Sequence, residues 1–557
     1  MALVHVGLGE REPDRCGPGE PYELRRDGGP LEALRGLLAW VEAAVAAGAV
    51  DPADAPLAIV AGPVAGVAAP GLARTTAIGL SPLSGGVAET RAEGPFAAGL
   101  RGAGVTGVVL HGRAPAPVVI VVGGGQIRVD PCPQWGLDTA AATDDLRASY
   151  GEDASVAVIG PAGERGVRYA SIVTCRDHPL PRLGLGAVMG AKRVKAIVCV
   201  GNAPIPVEDP AQVARIAADY AVRMHGNPLA SWQHGAPGFA VWQAEPGYAA
   251  VANFADTRAR GGVDPATARP LERVASCPGC PTDCMKVYVG AAPHQEALAA
   301  LGANIGVTDP WALHTRCVRI GVDPVSFAGT VAAAGLVGDD VPRALEDLAR
   351  GRDPYGLAEG AARLQRAGRT RRTAMTSKDV ELPPFDPRVQ PNLGLAYAVA
   401  PIGPRYDIVE HDLDFTPDDG MPHAFDEARK LGLAVPRTRG VHDPVGTAIL
   451  MRLWSGLDAL GVCLFAATPT RPLSLADVTD LVAAVTGEAP DVLALGSLRM
   501  AWQREINRLL GIGLDRDTLP DRFFTEPVEA GRYTGAVLDR DAFGAAVTEL
   551  HHELAFA

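Results

Sequence analysis

The sequence predicts an α+β fold, in which a sheet-rich amino-terminal domain precedes two mainly helical domains. From residue 57 to residue 130, short apolar runs such as LAIVAG and PVVIVVGGG alternate with Gly and Pro, as in strands joined by tight turns. After Pro204 the pattern changes to helical spacing. A Pro-rich polar stretch at 380–392 indicates a second boundary. We therefore expect domains at 1–205, 206–388 and 389–557.

The expected elements follow from apolar periodicity. Residues 31–49 predict an amphipathic helix, and a second helix is expected near 137–150. Strands are expected at 155–160, 168–175 and 194–201. The Asp-Pro pair at 209–210 is typical of a helix start. Helical spacing then recurs at 209–224, 295–303, 309–319, 323–337, 341–350, 355–367, 422–432, 444–460, 474–486 and 497–510.

Composition excludes several classes of protein. The 557 residues carry 51 basic and 64 acidic side chains, a net charge of −13, so the totals supply no basic face for nucleic acid. No apolar run reaches about 18 residues and no secretory signal is visible, so we expect a cytoplasmic protein without a membrane span. Nine cysteines do not make a disulfide scaffold. Clustered cysteines are therefore candidate metal ligands.

Cys277, Cys280 and Cys284 form the strongest motif. Three thiols at spacings of three and four residues on a Gly/Pro-rich loop can face one centre, and thiolates bind both zinc and iron–sulfur clusters. No second CxxC is present, although zinc sites usually pair two short clusters. Three unconnected thiols are the other alternative. A fourth donor is available at Cys16, Cys132, Cys175, Cys199, Cys317 or Cys463.

The segment RLGLGAVMGAKRVK at 182–195 contains the pattern GxGxxxG. A dinucleotide site needs such glycines after a strand and at the start of a helix, whereas here Pro179 and Pro181 precede them and a strand follows. Glycines flanked by Arg and Lys still suit a phosphate-bearing ligand, through close backbone approach and charge. A plain Gly-rich turn is the alternative.

Together these segments resemble the aldehyde:ferredoxin oxidoreductase family of tungsten enzymes, from about residue 57 to about residue 470. The combination of four motifs in order carries the resemblance, since each motif alone has little specificity. They are SPLSGGVAETRAEGPFAAGLRGAG at 81–104, RLGLGAVMGAKRVK at 182–195, CPGCPTDC at 277–284 and DALGVC at 458–463.

The resemblance implies that the sheet-rich amino-terminal domain binds two pyranopterins around one tungsten or molybdenum atom, which has no protein side-chain ligand. It also implies a Mg²⁺ ion that bridges the pterin phosphates. Cys463 would complete a [4Fe-4S] site with Cys277, Cys280 and Cys284. The cofactor-binding residues implied are Arg74, Arg91, Gly94, Arg182, Gly184, Gly186, Lys195, Asp323, Asp458 and Gly461.

Glu296 takes the place of the family's active-site glutamate. Its neighbours are Ala and Leu, so we expect a raised pKa and a role in proton transfer; an exposed glutamate at a helix start is the alternative. For the family's active-site histidine we choose His411, with Tyr406 and His423 as further candidates. A solvated loop histidine is the alternative to His411.

The chain departs from the family's pattern at several positions. Val318 stands where the family has an aspartate that contacts one pterin, and Gln295 replaces the tyrosine before the active-site glutamate. Arg91 falls where the family has an asparagine near the pterin phosphates. His314 lacks the glutamate of a Glu-x-x-His motif, so we predict no metal between subunits. The first 30 residues differ from the family's usual start.

The resemblance implies an enzyme that oxidises an aldehyde to a carboxylic acid, with water as the source of oxygen. Electrons would leave through the cluster to ferredoxin or another electron carrier. The partners expected are thus a small-molecule substrate and that carrier, with no nucleic acid, no membrane and a homodimer left open. One alternative keeps the cofactors but performs another two-electron reaction on a dedicated metabolite. The other is a non-catalytic, zinc-stabilised binding or assembly protein.

Overall fold

The computed structural model describes residues 2–8, 29–225, 250–255, 270–274, 276–289, 295–417, 421, 424–467, 469–529 and 533–556. His423 and Cys16 lie outside the described residues. Two large sheets occupy the first 200 residues, and helices dominate the described chain after them. This confirms the predicted α+β class. The domain limits at 205 and 388 stay a prediction.

The first sheet has five strands in the order β1-β5-β2-β3-β4, and only the β1–β5 pair is parallel. Strands β2, β3 and β4 are buried along their whole length, and β4 carries the charged side chains of Glu89 and Arg91 into the interior. Strand β1 was not expected from the sequence. The strands are β1 (Ala2–Gly7), β2 (Leu57–Ala61), β3 (Thr75–Leu80), β4 (Val87–Ala92) and β5 (Val105–His111).

The second sheet has six strands in the order β10-β9-β8-β11-β6-β7, with one parallel pair, β11–β6. The strand expected at 168–175 is shorter because the Ala170 amide donates to the Val167 carbonyl at 2.8 Å and closes a turn. The strands are β6 (Val118–Gly123), β7 (Gln126–Pro131), β8 (Ser155–Ile159), β9 (Ile172–Thr174), β10 (His178–Leu180) and β11 (Val194–Val200).

Five α-helices accompany these sheets. Asp138 begins one of them by accepting from the Ala141 amide, which satisfies a free donor of the first turn. The longest helix packs on β3 and lies against the helix Val492–Leu509 from the carboxyl-terminal part. The five helices are Pro30–Ala46, Phe96–Gly102, Thr139–Tyr150, Pro161–Glu164 and Leu185–Ala191.

Most of the longer helices after residue 205 begin at an aspartate followed by proline or valine. Asp309, Asp323, Asp443 and Asp491 each accept from a first-turn amide, so local capping chemistry sets these starts. The α-helices are Pro210–His225, Gln295–Ala299, Pro310–Ile320, Pro324–Ala334, Asp340–Ala349, Ala361–Arg366, Pro391–Val399, Phe425–Lys430, Pro444–Leu460, Leu475–Thr486, Val492–Leu509, Arg522–Thr525 and Arg540–Glu553. None of the described helices has the length and apolar character needed to cross a membrane.

Short elements connect these helices. A π-helical turn extends the helix Gln295–Ala299, and 3₁₀ turns precede or follow several others. The strands are β12 (Leu271–Val274) paired with β13 (Lys286–Tyr288), and β14 (Thr376–Ser377) paired with β15 (Val380–Glu381). The turns are Ala300–Asn304, Leu357–Glu359, Tyr406–Ile408, Asp412–Phe415 and Leu514–Arg516. Residues 380–400, which include the expected second boundary, are buried throughout.

The helix Pro444–Leu460 ends directly against the first sheet. Gly461 adopts φ +79° at its carboxyl end, a conformation that favours glycine. A Cβ on Gly461 would lie 2.8 Å from the Gly62 Cα, just after β2. This contact of two backbones places Asp458 and Cys463 beside the sheet.

We predict that Gly461→Ala destabilises the protein more than Gly487→Ala. Both positions have positive φ at a helix end, so both variants carry a conformational cost of about 1–2 kcal/mol. Only at Gly461 does the added Cβ meet backbone; at Gly487 the nearest atom is the Glu208 Cγ at an ordinary 3.5 Å. We expect a further cost of about 1–3 kcal/mol from this overpacking. Thermal unfolding followed by circular dichroism measures the difference, and equal shifts in Tm would contradict it.

Candidate functional site

A buried network of ion pairs joins the first sheet to the helices behind it. Asp458 accepts from the guanidinium of Arg74 with one carboxylate oxygen and contacts that of Arg91 with the other. Arg499 lies 3.4 Å from the same carboxylate, and Arg74 Nε also donates to Glu93 at 2.8 Å. Burial alone would lower the pKa of Arg74, but the carboxylate of Glu93 holds it above its usual range. Arg74 thus stays a cation inside the protein.

The network continues to the loop at 404–407. Arg405 donates to both oxygens of Asp407, at 2.7 and 2.9 Å, and Arg91 lies 3.5 Å from Asp407. Burial alone would raise the pKa of Asp407, but the guanidinium groups of Arg405 and Arg91 hold it well below its usual range. Arg182 donates to the Pro404 carbonyl at 3.1 Å. The glycine segment and this carboxyl-terminal loop therefore meet.

Part of this network lines a small, partly open space of about 80 Å³, which we call the inner cavity. One wall comes from β4 and the turn after it, a second from residues 177–181 just before the glycine segment, and a third from the helices that begin at 295 and 324. The polar and charged residues of its lining are Arg74, Arg91, Glu93, Asp177, His178, Glu296, His314, Asp323, Arg405, Tyr406 and Asp407.

Several buried polar atoms in and around the inner cavity have no hydrogen-bond partner among the described residues. They include two nitrogens each of Arg91 and Arg182, one oxygen each of Glu296 and Asp323, and the hydroxyl of Tyr397. Such atoms are rare in folded proteins, because each costs about 1–3 kcal/mol when it is left without a partner. Guanidinium groups with free donors suit phosphate oxygens. The residues therefore fit a phosphate-bearing cofactor.

The predicted glycines contact protein backbone. A Cβ on Gly184 would lie 2.0 Å from the Arg168 carbonyl, and one on Gly186 2.6 Å from the Ser171 carbonyl. At Gly94 it would lie 2.7 Å from the His178 ring. The glycines therefore allow the segment that carries Arg182 to pack closely against neighbouring backbone. A three-residue strand, β10, precedes the segment and a helix follows its first glycine, although a strand was expected next.

Lys195, which was grouped with the cofactor-binding residues, does not line the inner cavity. Its ammonium group donates to the Leu137 carbonyl at 2.7 Å and forms an ion pair with Glu164 on the second sheet. Asp323 does line the cavity. One of its oxygens accepts from the Ser326 amide at 2.9 Å, and Arg182 lies 3.7 Å from it.

The structure brings Glu296 and Tyr406 to the inner cavity together. Glu296 is 5% exposed, and burial raises its pKa to about 8, although Arg182 acts in the opposite direction. His411 does not line the cavity. Its ring packs edge-to-face against Phe385, with the two ring centres 4.8 Å apart, and burial lowers its pKa to about 4.

Sequence reasoning missed several residues of the inner cavity. His314 is 1% exposed, and with Trp311 and Cys317 it shares the buried face of the helix Pro310–Ile320. The three-residue spacing of these side chains was the available signal for that face. His178 and the pair formed by Arg405 and Asp407 were also missed. Nothing in their local sequence marks them, because distant segments bring them together.

The hydroxyl of Tyr397 was also overlooked. Tyr397 is fully buried, and burial together with the nearby Glu296 raises its pKa well above the usual range. It lies on the helix Pro391–Val399, whose residues are all buried, so apolar periodicity could not single it out. Its hydroxyl is a further polar group near the predicted base.

The loop that carries Cys277, Cys280 and Cys284 and the turn that carries Cys463 both contact residues 68–71. The Cys463 amide donates to the Gly71 carbonyl at 2.8 Å. A Cβ on Gly279, inside the CxxCxxxC loop, would lie 2.4 Å from the carbonyl carbon of Ala68. Burial first, and then Glu93 and the thiols of Cys284 and Cys277, raise the pKa of Cys463. The two cysteine motifs therefore lie close together on residues 68–71.

These four thiols are a donor set suited to an iron–sulfur cluster. None of the four is in a disulfide. Among the residues that the structure describes, no three or more His, Cys, Asp or Glu side chains are arranged to hold a metal ion. The other described cysteines are Cys132, Cys175, Cys199 and Cys317.

Comparison with protein families gives two matches that together span most of the chain. The amino-terminal domain of aldehyde ferredoxin oxidoreductase matches residues 32–201. Domains 2 and 3 of the same family match residues 215–554.

Curated relatives agree with these matches. The chain is 30% identical to the tungsten-containing aldehyde ferredoxin oxidoreductase of Pyrococcus furiosus over 534 residues, covering 86% of this chain and 84% of that protein. It is 28% identical to the protein of the same name from Thermococcus kodakarensis, over 86% of this chain and 85% of that one. A shorter match, 27% identical over 46% of this chain and 45% of the other, is to an aliphatic sulfonate oxidoreductase, WOR-like subunit, of Pyrococcus furiosus.

A solved structure shares the fold. The active site complex BamBC of benzoyl coenzyme A reductase, in complex with 1,5-dienoyl-CoA, superposes with a TM-score of 0.77. The match covers 100% of this chain and 94% of that chain, at 18% identity.

We predict that Asp458→Asn strongly destabilises the protein. The change leaves the buried guanidinium groups of Arg74 and Arg91 without their shared counter-charge, which costs about 3–5 kcal/mol. Asp426→Asn is the control, because the pair of Asp426 with Arg429 is exposed and contributes at most about 0.5 kcal/mol. Thermal unfolding measures both variants. A loss of Tm as small for Asp458→Asn as for the control would contradict the prediction.

Proposed function

The chain belongs to the aldehyde ferredoxin oxidoreductase family and is an oxidoreductase; on that premise, we propose that it oxidises an aldehyde to a carboxylic acid. Family membership implies a tungsten–pterin cofactor, and we propose its bis-pyranopterin form, with molybdenum as the other metal option. Membership also rules out the alternative of a non-catalytic, zinc-stabilised protein.

The observation that supports this proposal most directly is the composition of the inner cavity. In and next to it lie guanidinium nitrogens of Arg91 and Arg182 without hydrogen-bond partners and a buried carboxyl of raised pKa. The first suit the phosphates of a pterin, and the second suits proton transfer near neutral pH. We therefore assign pterin binding to Arg91 and Arg182, with Arg74 and Asp458 behind them. The unpartnered oxygen of Asp323 supports a Mg²⁺ ion beside the phosphates.

When bound, the tungsten–pterin cofactor supplies the two-electron oxidation. The protein has to orient the aldehyde, limit water and take up a proton. The Oε1 atom of Glu296 has no hydrogen-bond partner among the described residues. It can therefore accept the proton that a hydrated carbonyl releases. Tyr406 lines the same cavity, and its ring packs beside that of Phe465. We propose that its hydroxyl orients the substrate oxygen. A catalytic role for His411 stays a prediction.

Electron transfer away from the cavity is assigned to a [4Fe-4S] cluster on Cys277, Cys280, Cys284 and Cys463. Glu93 lines the inner cavity and is near enough to Cys463 to act on its thiol electrostatically, so a cluster on these cysteines would lie beside the cavity. Ferredoxin or another carrier would receive the electrons. Reduced cysteine ligands agree with a cytoplasmic protein. The homodimer stays a prediction.

A second candidate function keeps these cofactors and changes the substrate. The relative named an aliphatic sulfonate oxidoreductase favours it, because part of this chain matches that protein. The reaction would then be another two-electron conversion of a dedicated metabolite. Reduction of a dye by the purified enzyme, with a panel of aldehydes and a panel of sulfonates, distinguishes the two candidates.

We predict that Cys463→Ser loses the iron–sulfur cluster. Wild-type protein purified without oxygen should contain about four iron atoms and one tungsten atom per chain, and the variant should lose the iron and its visible absorbance, since one thiolate ligand is missing. Cys132→Ser is the control, because Cys132 lies beside the second sheet and its thiol contacts the side chain of Gln134. Zinc in place of iron in the wild type, or unchanged iron in Cys463→Ser, would contradict the assignment.

We predict that Glu296→Gln lowers turnover by about 10²-fold or more while iron and tungsten contents stay unchanged. The variant keeps the shape of the side chain but cannot accept the proton. Because the pKa of Glu296 is about 8 without a bound phosphate and higher with one at Arg182, wild-type kcat/KM should rise as the pH increases through 8 or above it, and the variant should lack this rise.

Glu32→Gln is the control for this variant, because Glu32 is an exposed glutamate in the first turn of a helix. Full activity in Glu296→Gln would make Glu296 structural. Loss of both metals would instead place the residue in cofactor binding.

A further inference from the structure

A second, larger space of about 650 Å³ lies outside the inner cavity and is partly open to solvent; we call it the outer cavity. The helices Thr139–Tyr150 and Pro310–Ile320 form two of its walls and contact each other where the Thr139 hydroxyl donates to the Val318 carbonyl at 3.0 Å. The hairpin of β12 and β13 and the turn at 175–178 form the others. This space has no role in the proposed chemistry so far.

The outer cavity is cationic. Its lining holds four arginines, Arg147, Arg176, Arg273 and Arg319, against two carboxylates, Asp177 and Glu272. The whole chain has a net charge of −13, so this concentration of positive charge is local. A cleft whose lining has a net positive charge attracts ligands of negative charge.

Two of the four guanidinium groups form no ion pair with a described carboxylate, and Glu272 in the same lining offsets only part of their charge. Arg176 forms an ion pair with Asp144, and Arg273 with Asp177. Arg147 donates only to the Ala154 carbonyl, at 3.1 Å, and no described carboxylate forms an ion pair with Arg147 or with Arg319. Both face the same space from the two helices that touch.

The outer cavity adjoins the inner one. Asp177, His178 and His314 line both spaces. His178 and His314 are 4% and 1% exposed, so this boundary lies inside the protein. A substrate whose reactive end lies at Glu296 would reach the outer cavity by passing these two histidines.

We propose that the outer cavity binds the far end of the substrate, and that this end carries a carboxylate, sulfonate or phosphate held by Arg147 and Arg319. This inference rests on the proposed function, since it names the class of aldehyde that the inner cavity oxidises. Guanidinium groups pair with all three oxyanions through paired N–H donors. A simple uncharged aldehyde would leave the outer cavity unused.

Steady-state kinetics with matched aldehydes tests the proposal. The holoenzyme is assayed with uncharged aldehydes of four to ten carbons and with the same chains that end in a carboxylate, a sulfonate or a phosphate. At the best chain length we expect a KM at least about tenfold lower for a charged member, on the scale of one charge-assisted hydrogen bond. The three end groups identify which oxyanion the site prefers. Equal KM values at every length would overturn the proposal.

Variants locate the effect. Combined Arg147→Gln and Arg319→Gln should raise the KM of the charged aldehyde about tenfold and leave its kcat and the KM of the uncharged aldehyde unchanged. The matching pair of Lys variants should restore much of the preference because it keeps the charge. Arg316→Gln is the control, because Arg316 lies on the same helix but pairs with Glu346 outside the cavity. An equal effect of the control would overturn the assignment.

Binding measurements separate this proposal from aldehyde oxidation itself. Calorimetry on the holoenzyme compares adipate with hexanoate, which differ by one distal carboxylate. Tighter binding of adipate that depends on Arg147 and Arg319 supports the anion site even if no aldehyde is oxidised, an outcome that would refute the proposed function alone. Oxidation of uncharged aldehydes without any preference for a distal charge would support the function and overturn the anion site.

Discussion

The rest of the site depends on the ion pairs that the carboxylate of Asp458 forms with buried arginines. Arg74 and Arg91 come from the sheet-rich domain, whereas Asp458 and Arg499 come from two packed helices. Buried guanidinium groups without a counter-charge would be far too costly to place there. The same helix end continues into Gly461 and Cys463. One segment therefore neutralises the arginines, contacts the first sheet and brings a thiol to the cluster loop.

This arrangement links the inner cavity to the cysteines. Glu93 follows β4 directly, pairs with Arg74 and acts electrostatically on Cys463. Arg74 forms ion pairs with both Glu93 and Asp458, so one side chain holds both carboxylates. A change of charge at the cysteines is therefore felt at the network that binds the proposed cofactor. Rigid placement of this kind suits electron transfer between two neighbouring sites.

Sequence reasoning located the residues that short motifs carry. The loop of Cys277, Cys280 and Cys284 follows from local spacing, whereas Glu296, Asp458 and Cys463 were chosen through the resemblance to the family. The change from strands to helices near residue 205 follows from apolar periodicity. Sequence reasoning did not locate Asp407, His178 or His314, because packing between distant segments creates their neighbourhood. The aspartate caps show why helix starts were predicted better than the extents of short strands, which depend on partner strands.

The protonation of Glu296 is coupled to the arginines that surround it. Burial and the carboxylates of Asp323 and Asp407 favour its neutral form, while Arg182 and Arg405 favour its charged form. Arg182 is also one of the guanidinium groups with free donors that suit a pterin phosphate. A phosphate bound there would offset the charge of Arg182, so its influence on Glu296 would weaken and the pKa of Glu296 would rise further. The proton affinity of the proposed base thus depends on cofactor occupancy, which joins binding and catalysis through one side chain.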